Sequence, residues 1–439
     1  MTPTIFALAS ARGRAGVAVI RLSGERALWA VRQLNPGSLT PRRAAYMPLA
    51  HDGEVIDQAV VIWFQAPHSF TGEDCVELQV HGSAAVLDRL YAILTGLGLR
   101  LAEPGEFSRR AMENGKLDLT QAEAIADLVD AETEAQRRQA LTQLDGGLKA
   151  RYEAWRNDLV ELLARIEVYI DFPDEDLPPQ LCDAILDRIA MLEGTLAAGL
   201  ADAGRGRQIR EGYRIVILGE PNAGKSSLFN ALLKTETAIV TPVAGTTRDI
   251  IEAQWRIGPF SVLLYDTAGL RETEDVVEAE GVRRARRRGD EADLRVWVVD
   301  PGTGRWPGTV CAGDMIVLNK IDQYTDDFVV PADVSRETMI FRVSSTTGLG
   351  LKELAVSIED IVTAKLSVAT FPTATRQRHS ERLEAARAQL SFARQAFAAA
   401  PELAAEHIRM AINSFEALFG RYDVEGILDV VFSTFCIGK

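Results

Sequence analysis

A glycine-rich loop between a strand-like run and a helix-like run constrains the fold of this chain more than any other feature. Residues 213–218 read YRIVIL, an apolar run of strand length. They lead directly into residues 219–226, GEPNAGKS, which fit the pattern G-x-x-x-x-G-K-S. Backbone N–H groups of such a loop surround phosphates, and the following helix adds its positive N-terminal end. The sequence therefore predicts a P-loop nucleotide site on a parallel α/β sheet.

The side chains of this loop have distinct expected roles. Lys225 is expected to reach the β- and γ-phosphates and to act in catalysis, and the hydroxyl of Ser226 to bind Mg²⁺. The expected nucleotide contacts in the loop are Asn222, Ala223, Gly224, Lys225, Ser226 and Ser227. A loop of this pattern also arises by chance, so the segments that follow it decide the interpretation.

Three later segments follow the order found in GTPases. A strand over 260–265 ends in DTAG at 266–269, where Asp266 can hold the Mg²⁺ shell. A strand over 315–318 ends in NKID at 319–322, and the carboxylate of Asp322 can accept two hydrogen bonds from N1 and N2 of guanine, a donor pair that adenine lacks. These segments predict GTP as the nucleotide, and the expected contacts are Asp266, Thr267, Ala268, Gly269, Asn319, Lys320, Asp322, Ser344, Ser345 and Thr346.

The catalytic apparatus differs from that of many small GTPases. Residues 245–249, GTTRD, form a switch in which Thr247 is expected to bind Mg²⁺ when the γ-phosphate is present. Leu270 stands where many small GTPases have a water-orienting glutamine, and leucine cannot hydrogen-bond water. An acidic residue, an arginine finger or a monovalent cation must therefore contribute. The acidic candidates are Glu272, Glu274, Asp275, Glu278 and Glu280, and the Asn222 amide oxygen is suited to a cation.

The composition on either side of this segment indicates several domains. Residues 1–115 contain strand-like runs, such as 76–81, in which Val76, Leu78 and Val80 would face a core. Residues 116–211 and 367–439 are helix-rich, with a linker predicted over 204–212. We therefore predict a multidomain α/β protein: an N-terminal α+β domain at 1–115, a discontinuous all-α helical domain at 116–211 and 367–439, and an inserted Ras-like P-loop G domain at 212–366.

Charge and cysteine usage exclude several classes of protein. The 439 residues carry a net charge of −14, which opposes coating of nucleic acid by bulk charge but leaves room for local basic patches, such as the arginines at 283–288. The four cysteines are scattered, so neither a disulfide framework nor a zinc site is expected. Neither a secretory leader nor an apolar stretch of about 18 residues is evident. We expect a cytoplasmic protein without a membrane segment.

Four further motifs resemble one family. They are FTGED at 70–74, PGEFSRRA at 104–111, NGKLDLTQAE at 114–123 and FCIGK at 435–439. Together with the nucleotide-site motifs, they closely resemble the MnmE (TrmE) family of bacterial tRNA modification GTPases, from near residue 4 to Lys439. The resemblance implies that the N-terminal domain binds folate and forms a homodimer. It also implies that a flavoprotein partner, MnmG, joins in a heterotetramer to add an aminomethyl or carboxymethylaminomethyl group at C5 of the tRNA wobble uridine.

The resemblance also implies cofactors and site residues. The cofactors are GTP, Mg²⁺, K⁺ and 5-formyl- or methylene-tetrahydrofolate. The implied K⁺ ligands are Asn222, Thr241, the carbonyl of Val243, and Thr246, with Thr241 and Thr246 also among the nucleotide contacts. Glu278 is the implied catalytic, water-orienting acid, and the implied folate contacts are Arg21, Glu77, Lys116 and Lys439. Cys436 would either take a chemical role or serve as a small buried thiol.

Two other functions remain open from the residues alone. One is an RNA-binding GTPase switch in ribosome assembly, although no G-x-x-G loop in a KH-like setting is evident. The other is a folate-dependent one-carbon transferase with an inert G domain. The G domain is not expected to be inert, because it keeps its nucleotide-site residues Lys225, Ser226, Thr247 and Asp266. The chain also departs from the family pattern: the span 300–314 leaves little room for the helix that usually precedes the NKID strand.

Overall fold

The computed structural model describes residues 2–171, 180–234, 251–266, 291–308, 310–324, 330–331, 338–367, 370–421, 431–433, 435 and 438. The chain forms two compact units. The first consists of residues 1–129, 141–196 and 381–439, and the second of residues 130–140 and 197–380. No helix among these described residues is long and apolar enough to cross a membrane.

A six-stranded sheet organises the N-terminal part of the first unit. Its order is β3-β4-β5-β2-β1-β6, and its strands are β1 (Ile5–Leu8), β2 (Ala15–Ser23), β3 (Ala45–His51), β4 (Glu54–Phe64), β5 (Cys75–Gly82) and β6 (Arg100–Leu101). Helices pack with it as α1 (Ala27–Leu34), α2 (Ala84–Gly96) and α3 (Glu106–Glu113). Val76, Leu78 and Val80 are buried, as the alternation along β5 predicted, because every second side chain of a strand points to the same face.

Helices from both sides of the nucleotide-loop segment pack together in the first unit. In the first unit these are α4 (Leu119–Asp130), α6 (Gly147–Asp171), the N-terminal part of α7 (Leu181–Glu211), most of α10 (Gln377–Ala396) and α11 (Pro401–Phe419). Most of α5 (Glu134–Leu144) and the C-terminal part of α7 belong to the second unit. On α6, Tyr152 makes edge contacts with Phe415 and Phe419 of α11, at centroid distances of 6.2 and 6.4 Å. Such aromatic pairs bury large apolar areas, so they fasten two segments that are distant in sequence.

The second unit contains a six-stranded, mostly parallel sheet. Its order is β12-β11-β10-β7-β9-β8, and its strands are β7 (Tyr213–Gly219), β8 (Ile251–Ile257), β9 (Phe260–Asp266), β10 (Leu294–Val299), β11 (Met315–Leu318) and β12 (Met339–Arg342). Only β8 runs antiparallel to its neighbour. The described helices of this sheet are α8 (Lys225–Leu233) and α9 (Leu351–Leu366). The P-loop and the NKID segment therefore meet at the carboxyl edge of the sheet.

The predicted linker over 204–212 is wrong, because α7 continues to Glu211. The glycines that suggested a linker serve a different purpose. A Cβ on Gly206 would overlap with the carbonyl oxygen of Ala374, so a residue without a side chain is required inside the helix. The true end of the helix is marked by Gly212, whose φ of +97° is typical of the residue after a helix.

The short span before the NKID strand contains little regular structure. Among its described residues, the only helical turn is a 3₁₀ turn at Pro301–Thr303, which follows β10. Asp300 caps this turn by accepting a hydrogen bond from the N–H of Gly302 at 3.1 Å. The expected absence of a long helix therefore agrees with the described part of this span.

Candidate functional site

The P-loop connects β7 to α8 with two glycines that have positive φ angles. Gly219 has a φ of +144°, and a Cβ there would overlap with the carbonyl oxygen of Val298 on β10. Gly224 has a φ of +95°, and a Cβ there would overlap with the Nδ2 atom of Asn319. The loop therefore lies close to both neighbouring segments, which only glycine permits at these two positions.

Lys225 opens α8 and is folded back over its own loop. Its Nζ atom donates hydrogen bonds to the carbonyl oxygens of Gly219 at 3.0 Å and Glu220 at 2.9 Å. Burial lowers the pKa of Lys225, while the nearby carboxylates of Asp266 and Glu220 act in the opposite direction. The ammonium group is thus held at the mouth of the loop, where phosphate oxygens can replace the two carbonyls.

Asp266 lies beside the P-loop at the end of β9. Its Cα pairs with that of Ile217 on the neighbouring strand β7, and the residue is 1 % exposed. Ser226, the second residue of α8, is half-buried. A carboxylate and a hydroxyl oxygen are the kinds of ligand that Mg²⁺ accepts, so this part of the predicted metal site fits the ion.

Asn319 joins the P-loop to the segment that begins at Ser344. Its Nδ2 atom donates to the carbonyl oxygen of Ala223 at 3.0 Å. Its Oδ1 atom accepts from the backbone N–H of Ser345 at 3.1 Å and from the Ser345 hydroxyl at 2.9 Å. Asp322 lies in the adjacent 3₁₀ turn and is exposed, so its carboxylate is accessible to a base. The predicted guanine contacts are therefore brought to one edge of the sheet.

Lys320 forms the second link between the base segment and the P-loop. Its Nζ atom donates to the carbonyl oxygen of Asn222 at 2.7 Å and forms an ion pair with Asp300 at 2.8 Å. Both Lys320 and Asn222 have left-handed backbones, with φ angles of 61° and 62°. Non-glycine residues rarely adopt this conformation, so surrounding contacts must hold both of them in place.

The N-terminal sheet carries a separate polar site. Arg21 on β2 lies directly opposite Glu77 on the neighbouring strand β5. The Nη2 and Nε atoms of Arg21 donate to Oε1 of Glu77 at 2.9 and 3.1 Å. The guanidinium carbon of Arg21 lies 5.4 Å from the ring centroid of Phe70 and 5.8 Å from that of Phe107. Arg21 is thus flanked by the fully buried ring of Phe107 and the partly exposed ring of Phe70, and Phe70 can also contact a planar polar ligand.

One loop brings Lys116 to the same neighbourhood. A Cβ on Gly72 would lie 3.2 Å from Cε of Lys116, and the side chain of Asn114 donates to the carbonyl oxygen of Thr71 at 2.7 Å. Phe70 of the same loop contacts Arg21, which is bonded to Glu77. The loop therefore contacts Lys116 and Arg21 directly and Glu77 through Arg21. Arg21, Glu77 and Lys116 are therefore connected within the first unit.

Comparison with known proteins decides the family. The description "GTP-binding protein TrmE N-terminus" matches residues 4–116, and "MnmE helical domain" matches residues 119–436. A protein of Caulobacter vibrioides named tRNA modification GTPase MnmE is 48% identical over 452 residues, with 100% of both chains covered. A protein of the same name from Hyphomonas neptunium is 48% identical over 444 residues, with 99% of both chains covered. The chain belongs to the MnmE (TrmE) family. The resemblance predicted from the sequence motifs is thus confirmed.

Several predicted site residues lie outside the described residues. For the nucleotide, metal and catalytic sites these are Thr241, Val243, Thr246, Thr247, Thr267, Ala268, Gly269 and Glu278. The expected folate contact Lys439 lies outside them too, as does Cys436 with its open choice between a chemical role and a buried thiol. The arginines at 283–288 are also outside. Their roles stay predictions.

Sequence reasoning missed a buried network below the FTGED loop. Glu73 accepts hydrogen bonds from the hydroxyl of Ser23 at 2.6 Å and from Nη1 of Arg110 at 3.1 Å. Arg110 also donates to Glu106 at 2.8 Å and to the carbonyl oxygen of Pro3 at 2.8 Å. Glu73 and Arg110 both belong to family motifs, and their opposite charges were the available signal. The network fixes the base of the loop that reaches Arg21 and Lys116.

Proposed function

We propose that this chain hydrolyses GTP to drive modification of tRNA, acting with the flavoprotein MnmG on C5 of the wobble uridine. The observation that carries the proposal is the full-length similarity to proteins named tRNA modification GTPase MnmE, at 48% identity over 452 residues. The product would carry an aminomethyl or carboxymethylaminomethyl group. The positions of Lys225, Asp266 and Asn319 support the nucleotide half of this proposal.

Hydrolysis would follow the common course of P-loop GTPases. Water attacks the γ-phosphorus, the bond to the β–γ bridging oxygen breaks, and the water proton ends on the released phosphate. Lys225 neutralises charge on the β- and γ-phosphates, and Asp322 with the Asn319 segment binds the guanine. Mg²⁺, held by Ser226 and Thr247, would stabilise negative charge on the phosphate oxygens.

A monovalent cation would replace the arginine finger in this mechanism. Since Leu270 cannot orient water, we assign K⁺ to Asn222, Thr241, the carbonyl of Val243, and Thr246, and the water-orienting role to Glu278. The exposed, left-handed Asn222 supports this assignment, because its side chain projects from the P-loop without being buried.

The N-terminal site would bind the one-carbon donor. Arg21 and Glu77 offer donors and acceptors side by side, and the partly exposed ring of Phe70 can contact a face of a heterocycle. This supports 5-formyl- or methylene-tetrahydrofolate as ligand, with Lys116 and Lys439 as further contacts. The N-terminal domain would also form a homodimer, onto which MnmG assembles as a heterotetramer.

Partner-assisted handling of tRNA follows from the charge of the chain. At a net charge of −14, its overall field repels a polyanion, so tRNA would be held by local patches and by MnmG. We place the protein in the cytoplasm, where its tRNA substrate occurs.

Reconstitution tests the proposed reaction. The purified chain, MnmG, tRNA, GTP, K⁺, Mg²⁺, a tetrahydrofolate donor and the nitrogen and redox cofactors of the flavoprotein would be combined, and the wobble nucleoside analysed by mass spectrometry. We expect a modified C5 only when GTP and the chain are both present. Modification without GTP, or none with every component, would reject the proposal.

A further inference from the structure

We propose that Asp300 is a positioning residue of the nucleotide site, which holds Lys320 against the P-loop and thereby prolongs the residence of bound guanine nucleotide. The inference rests on the nucleotide binding proposed above, and it assigns a role to a residue outside the GTPase sequence motifs. Asp300 directly follows β10, which lies in the sheet between β7, the strand before the P-loop, and β11, the strand before the NKID segment.

The carboxylate of Asp300 gathers three donors from two segments. Its Oδ2 atom faces Nζ of Lys320 at 2.8 Å, and its Oδ1 atom accepts from the hydroxyl of Tyr324 at 2.8 Å and from the N–H of Gly302 at 3.1 Å. The side chain of Asp300 is 12% exposed, against 28% for Lys320. A partly buried carboxylate that accepts three hydrogen bonds holds a lysine more firmly than a surface pair does.

Tyr324, which follows the 3₁₀ turn of the NKID segment, contacts both Asp300 and Gly302. Its ring lies so close to Gly302 that a Cβ there would overlap with the Tyr324 hydroxyl. Burial of Asp300 opposes ionisation, but the hydrogen bonds from Lys320, Tyr324 and Gly302 outweigh it and lower the pKa of Asp300. The carboxylate is therefore charged at neutral pH and faces the ammonium group of Lys320.

Lys320 transmits this constraint to the P-loop. Its ammonium group bonds at once to Asp300 and to the carbonyl oxygen of Asn222. Both Lys320 and Asn222 have the unfavourable left-handed backbone, so the P-loop residue depends on a lysine that itself depends on Asp300. Without the Asp300 carboxylate, the Nζ atom of Lys320 is held less firmly at the carbonyl oxygen of Asn222. The P-loop then becomes less rigid around the bound nucleotide.

The test measures release of the fluorescent nucleotide mant-GDP from the full-length chain. In Asp300→Asn, the amide keeps an acceptor for Tyr324 but loses the charge that holds Lys320. We expect dissociation about tenfold faster, the loss of one charge-assisted hydrogen bond. The KM for GTP should rise while kcat stays within about twofold.

A matched control separates positioning from stability. Asp314 precedes β11 at the other end of the same strand pair, where it accepts from Nε of Arg295 at 2.8 Å and from Nε1 of Trp297 at 3.0 Å. Asp314→Asn should lower the thermal unfolding midpoint without changing mant-GDP release. Equal acceleration in Asp314→Asn and Asp300→Asn would show general loosening and overturn the proposal.

A double-mutant cycle identifies the residue through which Asp300 acts. Lys320→Met should itself accelerate release, and Asp300→Asn should add little in that background, because the contact is already lost. An unchanged rate in Asp300→Asn, or the same added factor in the Lys320→Met background, would overturn the proposal. If the wild-type chain bound no mant-GDP, the nucleotide site itself would be rejected, and this role with it.

Discussion

Arg21 and Glu77 face each other across β2 and β5, with Nη2 of the arginine 2.9 Å from Oε1 of the glutamate. Both side chains are about one-fifth exposed, at 22% and 19%, so the pair is neither a loose surface contact nor part of the core. A ligand can therefore reach the pair without unfolding the sheet.

Glu77→Gln should weaken binding of 5-formyl-tetrahydrofolate by about tenfold or more, since one charged hydrogen-bond acceptor is lost. GTP hydrolysis should be unaffected. Isothermal titration calorimetry measures the folate affinity. The matched control is Glu54→Gln on the same sheet, whose carboxylate is 73% exposed and pairs loosely with Arg89 at 3.5 Å. Equal affinity of Glu77→Gln and the wild type would remove Glu77 from the site.

GTP hydrolysis should be at least several-fold faster in K⁺ than in Na⁺. The reason is that the cation site assigned here to K⁺ would supply positive charge to the transition state. Asn222→Ala should abolish this difference. The control is Asn230→Ala, an exposed asparagine on α8 away from the loop's start. Phosphate release at matched ionic strength gives the rates. Equal rates of the wild type in the two salts would contradict the cation mechanism.

Glu106→Gln should destabilise the first unit at neutral pH by about 2 kcal/mol, because Arg100 and Arg110 both lose a charged acceptor. Although burial opposes it, hydrogen bonds from the Glu103 N–H, Arg110 and Arg100 lower the pKa of Glu106 in the folded state. A lowered folded pKa gives stability that is present above the unfolded value of about 4.3 and is lost as pH falls through the folded value.

The pH dependence provides the measurement for this prediction. The gap in thermal unfolding midpoint between wild type and Glu106→Gln should be wide at neutral pH and narrow below the folded pKa. Glu103→Gln is the control, since its carboxylate is 72% exposed and its backbone N–H contact with Glu106 remains. A gap that stayed constant down to strongly acidic pH would assign the effect to packing instead of charge.

Two glycines of α7 should respond in opposite ways to alanine. Gly204→Ala should stabilise the helix by about 1 kcal/mol, because nothing lies within 4 Å of the added Cβ and alanine favours helix. Gly206→Ala should destabilise, because its Cβ would overlap with the carbonyl oxygen of Ala374. Thermal unfolding distinguishes them. Stabilisation by both substitutions would mean that the close approach to Ala374 does not occur.

These glycines also show where sequence reasoning ends. Period-two alternation correctly predicted the buried face of β5, because that signal is local. The linker prediction failed because the reason for Gly206 lies 168 residues away, at Ala374. No local pattern contains that contact.

The supporting residues of both sites were missed for a related reason. Asp300 and Arg110 bind no expected ligand, and each acts by bonding to a side chain from another segment. Motif reading identifies residues that touch ligands, whereas the residues that hold them become visible only when the fold brings their partners together.

The most direct measurement is nucleoside analysis of tRNA from cells that lack this chain. The account predicts that the modified wobble uridines disappear, return with the wild-type chain and do not return with Lys225→Ala, whose ammonium group can no longer bind phosphates. Unaltered wobble uridines in the deletion strain would contradict the account, and a defect confined to ribosome particles would favour the assembly switch.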